Sequence, residues 1–196
     1  GEMYQGRKYS VEADVSSASY FFLAAALLKR PMRVEGILST SRQGDLRFLK
    51  IMEELGCRIH YGSKWLEVSC TEPAAGDFVF DLNEMPDMVP TLAVMAAFRR
   101  GKTVIRNVAH LRLKESNRIR VLVCELAKIG ITVQETADGL IIMGGKPLPA
   151  KIETYNDHRI AMSFAVAGRA VPGIEVSDKK CVNKSFPGFW KELAKI

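Results

Sequence analysis

Asp87-Met88-Val89-Pro90-Thr91-Leu92-Ala93-Val94-Met95-Ala96-Ala97-Phe98 opens with an acid and runs on in small and apolar residues, with almost no polar face. An aspartate heading such a run is a good N-cap, because its carboxylate accepts backbone N–H bonds and complements the positive helix end. A helix apolar nearly all round must be buried on most of its sides. The pattern occurs three times. Asp14-Val15-Ser16-Ser17 precedes Ala18 to Leu28, and Asp157-His158-Arg159 precedes Ile160 to Ala167. The opening acids are spaced by 73 and 70 residues, which marks an internal repeat.

Working outward from each helix, a strand-like piece follows: Met32 to Gly36, Thr103 to Val108 and Gly173 to Ser177. A second, amphipathic helix comes next. Gln43 to Leu55 places Phe48, Ile51, Met52 and Leu55 on one face, and Ser116 to Ile129 does the same with Ile119, Leu122, Val123 and Leu126. Gly56 and Gly130 supply the C-caps. Two short strands follow each glycine: Cys57–Tyr61 turning at Gly62-Ser63-Lys64 into Trp65–Cys70, and Ile131–Glu135 turning at a hairpin-type Asp138-Gly139 into Leu140–Met143. The order predicted is β-α-β-α-β-β twice, then a shortened third copy ending with Ser185 to Ile196. Residues 1–196 are expected to form a single α/β domain with repeat units about 7–71, 76–144 and 150–196. Parallel helices would lie inside and sheets outside. If the units repeat around an axis, all first-helix starts share one end, and that end binds anions by construction.

Bulk composition agrees with a globular protein. Apolar residues are 47% and charged residues 26%. The longest apolar stretch, Tyr20 to Leu28, is too short to cross a bilayer, and Gly1-Glu2-Met3-Tyr4 has no secretory character. Cys57, Cys70, Cys124 and Cys181 are scattered without a C-x-x-C pair, which suits reduced cytosolic thiols. Net charge is +6 and the pI is near 9.2, favouring anionic partners. The basic residues stand singly beside acids and at predicted helix starts, so small anionic ligands are expected rather than nucleic acid or membrane.

Four segments carry candidate chemistry: Pro86-Asp87, Lys114-Glu115-Ser116-Asn117-Arg118, Asn156-Asp157-His158-Arg159 and Lys184-Ser185-Phe186-Pro187. Singly, each has a plain structural explanation as a turn, a first helical turn or a solvated lysine. Together they offer guanidinium forks and ammonium groups for phosphate and carboxylate. Asp87 and Glu115 stand among them as a possible base and acid. A carboxylate beside cations stays ionised, whereas an acid needs burial or a bound anion to raise its pKa.

These segments, with Val11–Phe21, Gln43-Gly44-Asp45, Tyr155–Met162 and Cys181–Pro187, occur in the order and spacing of a known family. The chain resembles the carboxy-terminal half of 5-enolpyruvylshikimate-3-phosphate synthases over nearly its whole length. The resemblance implies the inside-out α/β domain of three βαβαββ units and a cytoplasmic enzyme of aromatic amino acid biosynthesis. Its reaction would transfer enolpyruvyl from phosphoenolpyruvate to the 5-hydroxyl of shikimate 3-phosphate. Asp87 would accept the hydroxyl proton and bind the shikimate ring, and Glu115 would protonate the phosphoenolpyruvate methylene. Lys114 would contact the shikimate phosphate, while Arg118, Arg159 and Lys184 hold phosphoenolpyruvate; His158 is a possible auxiliary. No metal or organic cofactor is implied.

The chain departs from the family pattern at His110, where an Asn is common, and at Asn117, which replaces the Asp of Lys-Glu-Ser-Asp-Arg. The other domain of the family, and the first residues that complete this one, are not in the sequence, so the isolated chain is expected to fold without turning over substrate. Alternatives are half of a UDP-amino-sugar enolpyruvyl transferase and a non-catalytic anion-binding domain of the same fold.

Overall fold

A computed structural model describes residues 3–8, 11–38 and 40–196. Gly1 and Glu2, read above for secretory character, lie outside the described residues.

Three helices form the centre: α1 (Val15–Leu28), α3 (Val89–Phe98) and α5 (His158–Ala170). Each packs against the other two. Val89 to Ala97 are all buried, as the all-round apolar pattern requires. Ala24, Ala25, Ala26, Ala96, Ala97, Ala165 and Ala167 are also buried, and their small side chains let the backbones approach. Near the starts of α1 and α3, the buried hydroxyls of Ser19 and Thr91 are 3.0 Å apart. At the far end Leu27, Lys29, Phe98 and Arg99 line one cavity, and Leu28 and Arg169 line another. Starts meet starts and ends meet ends, so the helices run parallel.

Caps follow the sequence at two of three helices. Asp14 accepts from the amides of Ser16 and Ser17 at 3.2 and 3.0 Å, and Asp157 accepts from that of Arg159 at 3.0 Å. The helices begin at Val15 and His158, two or three residues earlier than the apolar runs suggested. Asp87 does not cap. It lies inside a 3-10 turn, Pro86–Met88, and α3 begins without a side-chain cap. Its carboxylate is taken by two guanidinium groups instead, described below.

The sheets lie outside, one to a unit. In the first, β1 (Met32–Glu35), β3 (Trp65–Ser69) and β2 (Arg58–Tyr61) pair antiparallel in the order β1-β3-β2. Among the described residues this unit lacks the leading strand expected of it; only Ala13 N, donating to Gly36 O at 2.9 Å, marks the place. The second unit is complete: β4 (Phe78–Asp81) runs parallel to β5 (Lys102–Arg106), followed by β7 (Leu140–Met143) and β6 (Thr132–Glu135) antiparallel. The third has β8 (Ala150–Ile152) parallel to β9 (Ile174–Val176).

The second helices are shorter than their patterns. Gln43–Leu55 is a 3-10 turn, Gly44–Arg47, leading into α2 (Phe48–Glu54), with Phe48, Ile51, Met52 and Leu55 buried. α4 (Arg118–Lys128) starts late because Asn117 caps it, accepting from the Arg120 amide at 3.1 Å. In the third unit a 3-10 turn, Lys180–Lys184, precedes a short α6 (Phe189–Leu193). The β6–β7 loop is four residues, Thr136 to Gly139, rather than a two-residue Asp-Gly turn. Gly139 is required there because a Cβ would collide with the carbonyl of Ile105.

Candidate active site

The starts of α3, α4 and α5 bring distant charges to one pole. Asp87, in the turn before α3, accepts from Arg118 Nη1 at 2.9 Å and from Arg159 Nη2 at 2.8 Å. Arg118 opens α4 and is 1% exposed. Its Nε donates to Asp157 at 2.8 Å and its Nη2 to Glu115 at 2.6 Å. The other oxygen of Glu115 accepts from Lys184 Nζ at 2.5 Å. Ser116 Oγ adds a 3.0 Å bond to Asp157, which is wholly buried. One network therefore joins Asp87, Glu115, Arg118, Arg159 and Lys184 with Asp157.

Electrostatics follow from this layout. For Arg118, burial opposes the charged form, but Asp157, Glu115 and Asp87 outweigh it and raise its pKa. Burial would raise Glu115; the hydrogen bond from Lys184, a backbone bond and the charge of Arg118 overcome it and hold the carboxyl at about 2. Glu115 is thus a carboxylate in this arrangement, not an acid. His158 is buried, and its Nδ1 has no hydrogen-bond partner among the described residues. Burial, then the charge of Arg159, lowers its pKa and favours a neutral ring.

The remaining sequence candidates lie at the margin. Lys114 is exposed and forms no ion pair among the described residues. His110 is exposed in the 3-10 turn Ala109–Leu113. Its neighbour Arg112 is committed to the β6–β7 hairpin, pairing with Glu135 and donating to Thr136 O at 2.8 Å. Two further carboxylates take part. Asp157, an N-cap by its sequence position, also anchors Arg118. Asp45 accepts from Ser16 Oγ and is raised by burial, with Asp87 adding to the rise. The nearby Gln43 holds the start of α1, accepting from Val15 N at 2.9 Å and donating to Ala13 O at 2.8 Å.

Among the described residues, no group of three or more His, Cys, Asp or Glu side chains is placed to hold a metal ion. What the pole can do is bind anions and move protons. Its cations are held in place by carboxylates, and guanidinium and ammonium groups are the donors that phosphate and carboxylate accept from.

A mixed α/β domain with parallel helices inside and this pole at their starts defines half of an enolpyruvyl-transferase fold. A family model of EPSP synthase (3-phosphoshikimate 1-carboxyvinyltransferase) matches residues 1–193. The chain belongs to the EPSP synthase family. A relative from Syntrophobacter fumaroxidans named 3-phosphoshikimate 1-carboxyvinyltransferase is 48% identical over 200 residues, covering 100% of this chain and 46% of its own length. A relative of the same name from Nostoc sp. is 43% identical over 196 residues, with the same coverage. Among solved structures, the EPSP synthase from Acinetobacter baumannii superposes with a TM-score of 0.79 at 31% identity, covering 94% of this chain and 46% of that one. The enolpyruvyl transferase NikO from Streptomyces tendae shares the fold, with a TM-score of 0.72 at 20% identity, covering 94% of this chain and 43% of that one. The chain spans about half the length of the curated relatives it matches.

Proposed function

We propose that this chain is the carboxy-terminal half of an enzyme that transfers enolpyruvyl from phosphoenolpyruvate to the 5-hydroxyl of shikimate 3-phosphate and releases phosphate. The observation that carries it is the network centred on Arg118, where Asp87 and Glu115 are held between Arg118, Arg159 and Lys184. The name the relatives carry, 3-phosphoshikimate 1-carboxyvinyltransferase, supports the same chemistry.

In this proposal Arg118, Arg159 and Lys184 take the phosphate and carboxylate of phosphoenolpyruvate. The exposed Lys114 takes the phosphate of shikimate 3-phosphate. An anion that engages Lys184 removes the strongest contact holding Glu115 ionised, so substrate itself raises the Glu115 pKa. Glu115 then protonates the methylene carbon, and the neighbouring carbon becomes electrophilic. The 5-hydroxyl adds there while Asp87 accepts its proton. The tetrahedral intermediate collapses by returning a methyl proton and expelling phosphate. Fixed cations supply orientation and charge stabilisation at each stage. The buried, neutral His158 fits a supporting role beside Glu115 better than one as a charged ligand.

The chain alone supplies one side of such a site, and a partner domain supplies the other. Open sheet edges support this division. Among the described residues β9 pairs only with β8, whereas its counterpart β5 has neighbours on both sides. Such an edge suits strands from outside the 196 residues. A cytoplasmic location follows from the same assignment. The test is a phosphate-release assay: the isolated chain is expected to show no saturable turnover, and the chain combined with the complementary domain is expected to show it. Turnover by the chain alone would overturn the division of labour. No turnover by a folded reconstituted pair would overturn the proposed reaction.

A further inference from the structure

Two charged side chains on α4 are almost completely buried, Arg118 and Glu125. They stand seven residues apart and so share one helical face. Arg118 is consumed by the network above. Glu125 has a different set of partners, and two of them come from the next unit. Its Oε1 accepts from the Tyr155 hydroxyl at 2.9 Å, and its Oε2 accepts from the Glu153 amide at 3.0 Å. The third partner, Lys128, is local, at 2.8 Å on the same helix.

The segment that Glu125 grips leads directly into the site. Tyr155 and Asn156 have φ of 52° and 55°, consecutive left-handed residues without a glycine. Asn tolerates that region, but Tyr is disfavoured there. Such backbone persists only where its surroundings over-determine it. Here the turn is closed by Asp157 N donating to Thr154 O at 2.8 Å, and from outside by Glu125. Immediately after the turn come Asp157, which anchors Arg118, and Arg159, which reaches Asp87.

We propose that Glu125 is a positioning residue for the anion-binding pole: with the Tyr155 hydroxyl it holds the left-handed turn in the one shape that delivers Asp157 to Arg118 and Arg159 to Asp87. The role deepens, and rests on, the reaction proposed above. One face of α4 thereby clamps the entrance to α5 twice, with a cation at its first residue and an anion two turns later. Tyr155 reports on the contact: burial, and then the hydrogen bond to Glu125, push its phenol up to about 12.

The experiment uses Glu125→Gln and Tyr155→Phe in this chain; the second removes a single hydroxyl from a side chain that is 47% exposed, so it should leave the fold intact. Side-chain NMR follows hydrogen exchange at Arg118 Nε, and inorganic phosphate titration follows the pole. In both variants Arg118 Nε should exchange about tenfold faster while core amides of α1 and α3 keep their rates, the signature of a local opening. Phosphate affinity should fall about fivefold, the scale of one lost hydrogen bond. Unchanged Arg118 exchange in both variants overturns the positioning role. So does exchange that rises in step at Arg118 and in the core, which would mark Glu125 as purely structural. Absence of phosphate binding by the unaltered chain would count against the proposed reaction, and the exchange data would still judge the clamp.

Discussion

Lys184 Nζ sits 2.5 Å from Glu115 Oε1, a contact made across 69 residues of chain. It joins the last 3-10 turn to the segment before α4 and decides the charge of the carboxyl proposed as the acid. Burial raises Glu115, and the bond from Lys184 is foremost among the contacts that bring it down to about 2. A folded-state pKa below the unfolded value stabilises the fold above the unfolded pKa, and the contribution is lost as pH falls through the folded one. For Glu115 the window runs from the usual 4.5 down to about 2. Lys184→Met is therefore expected to raise the Glu115 pKa and move acid unfolding to higher pH. Carboxyl NMR titration reads the first effect directly. An unaltered Glu115 titration in the variant would show that Lys184 does not control it.

Arg118 is the hub, and its loss should be the costliest of the pole substitutions. At 1% exposure it faces an Asp157 that is fully buried, so Arg118→Met leaves a carboxylate in the interior without its cation. Breaking a buried pair from one side costs about 3–5 kcal/mol. Urea unfolding should register a loss of that order. Asp157→Asn in the same background should recover part of it, since the uncompensated charge is then gone. A loss below about 1 kcal/mol, the scale of an exposed pair, would mean that the hub is not buried in solution.

Asn117 stands where the family motif carries Asp, and the structure gives it a defined task at the head of α4. Asn117→Ala removes the bond to the Arg120 amide and should cost about 1 kcal/mol, the usual value of an N-cap. Asn117→Asp keeps the acceptor and adds a charge at the positive helix end, so it should be neutral or slightly stabilising. Thermal melts of the two variants side by side make the comparison. Equal melting temperatures for Asn117→Ala and the unaltered chain would remove the capping role.

How much of this was legible in the sequence depended on whether local rules decided the outcome. The three central helices are legible because their apolar pattern is continuous, and Asp14 and Asp157 cap because each sits in extended backbone just before its helix, with its carboxylate over the first amides. Asp87 followed the same local rule on paper and departs from it in the fold. It lies inside the 3-10 turn rather than just before the helix, and two guanidiniums from 31 and 72 residues away take its carboxylate. The pole was foreseeable as a gathering of charges at helix starts. Its wiring was not, because Arg118 meets Asp157 only through the packing of α4 on α5's unit, and nothing in spacing marks an arginine as interior. Analogy with the second unit predicts a leading strand in the first, yet among the described residues before α1 the backbone pairing toward that sheet is the Ala13–Gly36 bond alone. A repeat predicts a place for a strand, not the partner that would hold it.

Asp45 is the site acid whose ionisation the fold resists. Its pKa is raised first by burial and further by the neighbouring Asp87 and Asp14, while the Ser16 hydroxyl and Arg159 pull the other way without winning. A carboxyl raised in the folded state adds most stability below its unfolded pKa, and that contribution is lost as pH climbs through the folded value. Above the unfolded pKa the fold therefore disfavours the charged form of this side chain, although the Ser16 bond softens the penalty. Asp45→Asn keeps an oxygen for Ser16 and removes the charge, so it should melt higher than the unaltered chain at pH 7. The difference should shrink as pH falls below 3.8, where the unaltered Asp45 is itself neutral in both states. Ser16→Ala should do the opposite at pH 7, since it withdraws a hydrogen bond that favours the carboxylate. Melting curves for the three proteins at pH 7 and near pH 3 test the sign. If Asp45→Asn is less stable than the unaltered chain at pH 7, attraction to Arg159 outweighs burial and the direction assigned to Asp45 is wrong.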